Sequence, residues 1–186
     1  EGEKRYIWFS SSFACFDDKL NYGCSPGSPI AVVYPTKVKS ATIIITEGHF
    51  KAELIAELMG CVVISVQGVS SWKHVLDVVE TIKQQLREQG NKFFEIKRFY
   101  VMFDADMTCK FQVYGQAKKM TDTIIEKYPA IDIYYINWDE KQGKGFDDLV
   151  ENHGNEYIKY IRKYEKSIWD MRYSYVSDML ISNEGY

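Results

Sequence analysis

The sequence predicts an α/β domain built on a central, mainly parallel sheet of about four strands, with helices on both faces. Three observations carry this. Short β-rich apolar runs alternate four times with helical stretches between residues 42 and 150, the order that gives parallel strands joined by right-handed crossovers. The runs are continuously apolar, as strands covered on both faces are. Glycine, serine or proline stands near the ends of the helical stretches, where a chain changes direction.

The elements follow in order. "ATIIIT" is the first buried strand. "HFKAELIAELMG" is a helix with Phe50, Leu54, Ile55 and Leu58 on one face and Gly60 closing it. "CVVISV" is the second buried strand. A long amphipathic helix comes next, with Trp72, Val75, Leu76, Val79, Ile82 and Leu86 on its apolar side. Ser70 or Ser71 serves as its N-cap and Gly90 as its stop. "RFYVMF" is the third strand, and "FQVYGQAKKMTDTIIEKY" is a helix ended before Pro129. "IDIYYINW" is the fourth strand; it alternates less cleanly, which suits an edge.

The flanks differ from this core. Residues 1–41 show little helical periodicity and read as two short strands around a Ser/Gly/Pro loop, an N-terminal β arm packing on the core. Residues 151–186 read as a C-terminal helical extension of one or two helices. The expected division is therefore 1–41, 42–150 and 151–186.

A chain of 186 residues, 46% hydrophobic and 26% charged, is an ordinary globular composition able to bury a sizeable core. No apolar run reaches membrane-spanning length, so no membrane partner is expected. The chain opens on Glu1 without a signal-peptide pattern, which reads first as a fragment of a longer protein and second as a mature form. A net charge of −3 argues against tight DNA binding by this domain alone, so contact with nucleic acid would be local or shared with other domains. Cys61 opens an apolar run and suits a buried thiol. Cys15 and Cys24 lie in a Ser/Gly-rich loop region, where a disulfide or zinc is the alternative, but their spacing matches no zinc ligand pattern, and reduced thiols in a cytoplasmic protein are the expected state.

In parallel sheets, functional groups gather at the carboxyl ends of strands. Glu47-Gly48 follows the first strand, Asp104-Ala105-Asp106 the third, and "NWDEKQGKGFDDLV" the fourth, with Asp139, Lys144, Asp147 and Asp148. The second delivers "QGVSS", where Gly68 permits close backbone approach, as Gly48 does after the first. Each feature alone has a plain structural reading: Asp106 as a helix cap, the paired aspartates as partners of a helix dipole. Capping gives no reason for one rim to collect them all. Crowded carboxylates repel unless something positive sits among them. Mg²⁺ (or Mn²⁺) suits such hard oxygen donors and shares its shell with phosphate. His49 and His74 near helix starts read as solvated or capping residues. Lys73, Lys110 and Lys141 suit either a basic margin or a plain surface.

Together these residues resemble the Toprim domain, the Rossmann-like catalytic fold of DNA primases, type IA and type II topoisomerases and related nucleases. The match extends over about residues 42–150. More narrowly, "TEGHFKAE", "QGVSSW", "FDAD" and "KGFDDLV", with the upstream "YIWFSSS" and "GSPIAVVYP", resemble the uncharacterised Toprim-related domain of plasmid, conjugative-transposon and phage primase/helicase-like proteins. The resemblance implies that Glu47 is a general acid or base and also a metal ligand. It implies that Asp104 and Asp106 hold Mg²⁺, and that Asp147 and Asp148 help bind a further metal. Primases usually carry an acid four positions after the glutamate; here that position is Lys51, which suits phosphate binding or a salt bridge to Glu47 and argues for one metal rather than two.

The expected function is thus a Mg²⁺-dependent, primase-like nucleotidyl- or phosphoryl-transfer module of a mobile element, acting in DNA replication or transfer. Its partners would be single-stranded template DNA, nucleotides and other domains of a longer chain, such as a helicase. The alternative is a catalytically decayed Toprim scaffold that docks DNA or protein. A nucleotide-sugar transferase, the third reading, leaves Glu47-Gly48 and "KGFDDL" unexplained.

Overall fold

The computed structural model describes residues 30–183. Its elements are β1 (Ala31–Val33), β2 (Thr42–Glu47), α1 (His49–Met59), β3 (Val62–Val66), α2 (Val75–Glu88), β4 (Arg98–Val101), α3 (Phe111–Lys127), β5 (Asp132–Asn137), α4 (Phe146–His153), β6 (Arg162–Glu165) and α5 (Lys166–Asn183). Short 3-10 helices lead into α2 and α3 and link β5 to α4 and α4 to β6. The fold is α/β.

The sheet has six strands in the order β1-β3-β2-β4-β5-β6. Its centre, β3-β2-β4-β5, is parallel, while β1 runs antiparallel to β3 and β6 antiparallel to β5. The sheet is therefore mixed, with six strands rather than about four, and not mainly parallel as expected. The expected edge strand, β5, has β4 on one side and β6 on the other. The C-terminal extension is not purely helical, because it contains β6. Of the expected N-terminal arm, one strand is β1; residues 1–29, with Cys15, Cys24 and the other expected strand, lie outside the described residues.

Strand pleating sends alternate residues to opposite faces. Ile43 and Ile45 of β2 face a core shared with α2, α3 and Trp169 of α5. Ile44 faces the other core, with α1, Phe146 and Leu149 of α4, and Tyr157. Both faces of β2 and β3 are thus covered, which accounts for their unbroken apolar runs.

Helix α1 uses only part of the expected face: Ile55 is buried and Leu54 packs on the core, but Phe50 and Leu58 are exposed. Ala52, Ile55 and Ala56 are buried, while Phe50 is 86% exposed. The two alanines bring the helix close to the sheet, and larger residues at those positions would hold it off. Gly60 ends α1 in the left-handed conformation, as its position predicts.

Candidate functional site

The chain leaves β2 toward β3 on one side and returns past it to β4 on the other. The carboxyl ends of β2 and β4 therefore flank the point where the strand order reverses. Helices diverge there onto opposite faces and leave a crevice. Ile45 pairs with Val101, and the Met102 amide donates to the Ile45 carbonyl at 2.8 Å. That register brings Glu47 and the Asp104–Asp106 segment to neighbouring strand ends.

Gly48 turns the chain out of β2 at φ 89°, and its amide donates to the Val66 carbonyl at the end of β3, 3.1 Å away. One turn into α1, the Lys51 ammonium contacts Asp104 Oδ1 directly. Both side chains are partly buried, 19% and 27% exposed. The expected salt bridge from Lys51 to Glu47 is thus replaced by one to Asp104. Asp106 is buried at 7% exposure. The Lys110 ammonium stands 2.6 Å from its Oδ2, and that of Lys144 3.8 Å from the same oxygen.

Burial raises the Glu47 carboxyl above its ordinary range. Lys51 pulls it down, Asp104 pushes it up, Lys110 lowers it and Asp106 raises it. All four groups lie within electrostatic reach of Glu47. The hydrogen bond to Asp106 raises the Lys110 ammonium. Three carboxylates and three ammonium groups thus meet at one crevice.

The other expected residues fall into two groups. Lys144 belongs to the crevice, because its carbonyl accepts from the Ala105 amide at 2.9 Å and ties the loop after β5 to the Asp104–Asp106 turn. The buried Asn137 side chain strengthens this tie by donating to the Ala105 carbonyl at 3.2 Å. Asp147 and Asp148, in contrast, are exposed on the first turn of α4. Asp148 Oδ2 accepts from the Gly145 amide at 2.8 Å, so its role in the structure is a helix cap. Gly68 lies beyond β3 in a turn closed by the Ser71 amide on the Gly68 carbonyl. A Cβ there would meet Ser71 Oγ at 4.0 Å, which leaves room for a side chain.

Lys110 is the residue of this site that sequence reasoning placed only on a margin. Its i, i+4 spacing from Asp106 was the available signal. Among the described residues no three His, Cys, Asp or Glu side chains converge as a preformed metal cluster. The hard oxygens of Glu47, Asp104 and Asp106 are nevertheless the donors that Mg²⁺ takes. The Lys51 and Lys110 ammonium groups stand in for a cation at two of them.

Residues 34–157 match the family described as "Domain of unknown function (DUF3854)", and the chain belongs to that family. No curated protein and no solved structure matches the chain. Among the described residues no helix is long and apolar enough to cross a membrane.

Proposed function

We propose that this chain is a Toprim-type, Mg²⁺-dependent nucleic-acid module of a mobile element, acting in primase-like nucleotidyl or phosphoryl transfer during DNA replication or transfer. One observation carries the reading: Glu47, Asp104 and Asp106 share the crevice at the strand-order reversal, with Lys51, Lys110 and Lys144 among them. Four parallel central strands with helices on both faces support a Rossmann-like Toprim arrangement. Asp104 and Asp106, with Glu47, would hold the metal, which supplies charge stabilisation for a phosphate. Glu47, whose carboxyl burial raises above its ordinary range, suits proton transfer. Lys51 suits a phosphate oxygen as a point charge. Single-stranded DNA, nucleotides and further domains of a longer chain are the partners this reading implies.

Titration calorimetry with Mg²⁺ and with Mn²⁺ tests it. Wild type binds, Asp104→Asn abolishes binding, and Lys51→Gln binds more tightly because a competing ammonium is gone. A second reading has its own observation. Lys51 lies directly on Asp104, as it would in a decayed site kept as a DNA- or protein-docking scaffold. Absence of heat from wild type at millimolar Mg²⁺, with Asp104→Asn indistinguishable from it, gives the decision to that reading.

A further inference from the structure

Beyond the crevice, on the same rim, lies a cavity of about 350 Å³, within the rough 300–1,000 Å³ range of small-molecule clefts. It opens where β5 ends and β6 begins, since Asn137 and Arg162 are opposite one another in that pair. Its lining includes Arg162, Arg172, Tyr160, Tyr164, Trp169 and Thr108. Thr108 stands two residues from both Asp106 and Lys110, so the cavity adjoins the crevice. A second cavity of about 120 Å³ shares Thr108, Trp169 and Arg172 with the first and adds Phe111, Tyr114 and Tyr173.

Three features point to a ligand. Arg162 and Arg172 are exposed and, among the described residues, neither has a carboxylate within salt-bridge distance. Two guanidinium groups against the single carboxylate of Asp139 leave the larger cavity a local excess of positive charge in a chain of net charge −3. Arg162 is braced by hydrogen bonds to the Lys159 and Ile161 carbonyls at 2.8 and 3.1 Å, while Arg172 rests 5.7 Å over the Tyr164 ring. The walls are aromatic: Phe111 and Tyr173 stack at 4.8 Å, and Tyr173 stacks on Tyr114 at 4.2 Å. Trp169, only 1% exposed, has an indole N–H without an acceptor.

We infer that these adjoining cavities bind a nucleotide unit, with its phosphate at Arg162 and Arg172 and its base against the aromatic wall. Planar, forked guanidinium groups suit phosphate, and aromatic faces suit stacked bases of any sequence. Asp139 also lines the larger cavity. Its Oδ1 accepts from the Lys141 amide at 3.0 Å, which leaves its other oxygen to accept from a sugar hydroxyl or base amino group. Most of the cavity's charge and aromatic surface comes from residues after 157, outside the span that matches the family. The site therefore lies largely outside the matched span. It deepens the nucleic-acid reading by naming where a nucleotide sits, and it needs no metal.

The test uses the 186-residue chain in EDTA with two probes, a fluorescein-labelled 12-nucleotide oligothymidine and ATP. Anisotropy reads the first. Quenching of tryptophan fluorescence reads both, because Trp138 and Trp169 line the larger cavity. Wild type binds at least one probe, and which one identifies the source as a strand or a free nucleotide. The double variant Arg162→Gln/Arg172→Gln loses at least about tenfold in affinity, and the salt slope for the single-stranded oligonucleotide falls by about 0.7 per lost phosphate contact. Lys163→Gln removes one charge from the same strand on the opposite sheet face, where Lys163 lies over Tyr134, and leaves binding unchanged. Should the double variant lose its near-UV circular dichroism, Arg172→Gln alone carries the comparison. EDTA keeps metal out of the crevice, so failure of the metal site, read by titration calorimetry with Mg²⁺, and failure of this one are separable. Binding of neither probe, an unaffected arginine variant that is folded, or an equal loss in Lys163→Gln overturns the inference.

Discussion

Gly48 adopts φ 89° and ψ 134°, a backbone region that side chains rarely enter. A Cβ there would meet the Lys51 stem at 3.4 Å, an ordinary van der Waals contact, so the strain lies in the backbone. Gly48→Ala should cost about 1–3 kcal/mol, measured by urea denaturation. Its neighbour Glu47 carries a pH signature. Burial lifts its carboxyl above the ordinary 4.5. Between that value and its folded pKa, the native chain keeps a proton that the unfolded chain has lost. Stability therefore falls as pH rises through this window, and the penalty persists above it. Glu47→Gln lacks the penalty, so it gains on wild type through the same window and shows no such gain below 4.5; denaturation midpoints at stepped pH check the sign. The sequence showed that Glu47, Asp104 and Asp106 belong to one rim. It did not show which carboxylate Lys51 meets, because the partners are 53 residues apart and the pairing depends on β4 lying beside β2.

Helix α4 has eight residues, and Asp148 satisfies the Gly145 amide at its start. Asp148→Ala should cost about 1 kcal/mol of stability and leave Mg²⁺ binding unchanged. A loss of metal affinity in that variant would return Asp148 to the site. Legibility at this scale followed burial. β2 and β3 were plain because both of their faces are covered, so every position had to be apolar. β6 was not, since "RKYE" shows a single aromatic among charges and takes its strand geometry from pairing with β5. The buried face of α1 was partly misjudged for a related reason. A hydrophobicity pattern favours Phe50 and Leu58, whereas close approach to the sheet favours Ala52 and Ala56.

At the scale of the molecule, the C-terminal extension is part of the core rather than an appendage. Trp169 stacks at 4.9 Å on Tyr135 of β5 and at 5.7 Å on Tyr114 of α3, and its carbonyl accepts from the Tyr114 hydroxyl. Burial drives both tyrosine hydroxyls to pKa values above the usual range. Trp169→Ala should cost about 3–5 kcal/mol, and removal of residues after 157 should leave β5 without an edge partner. Thermal melts and limited proteolysis read both. The sequence marked residues 151–186 only as a helical extension, and its docking partner stayed hidden because Tyr114 and Tyr135 look like ordinary members of a helix and a strand. The two outermost strands among the described residues carry a last consequence. β1 is three residues long, and three of the four residues of β6 are charged. Short or charged borders repel a second sheet that would otherwise extend the ladder. A domain bounded in this way can sit beside copies of itself at high concentration, or between other domains of a long chain, without its strands joining theirs into aggregates.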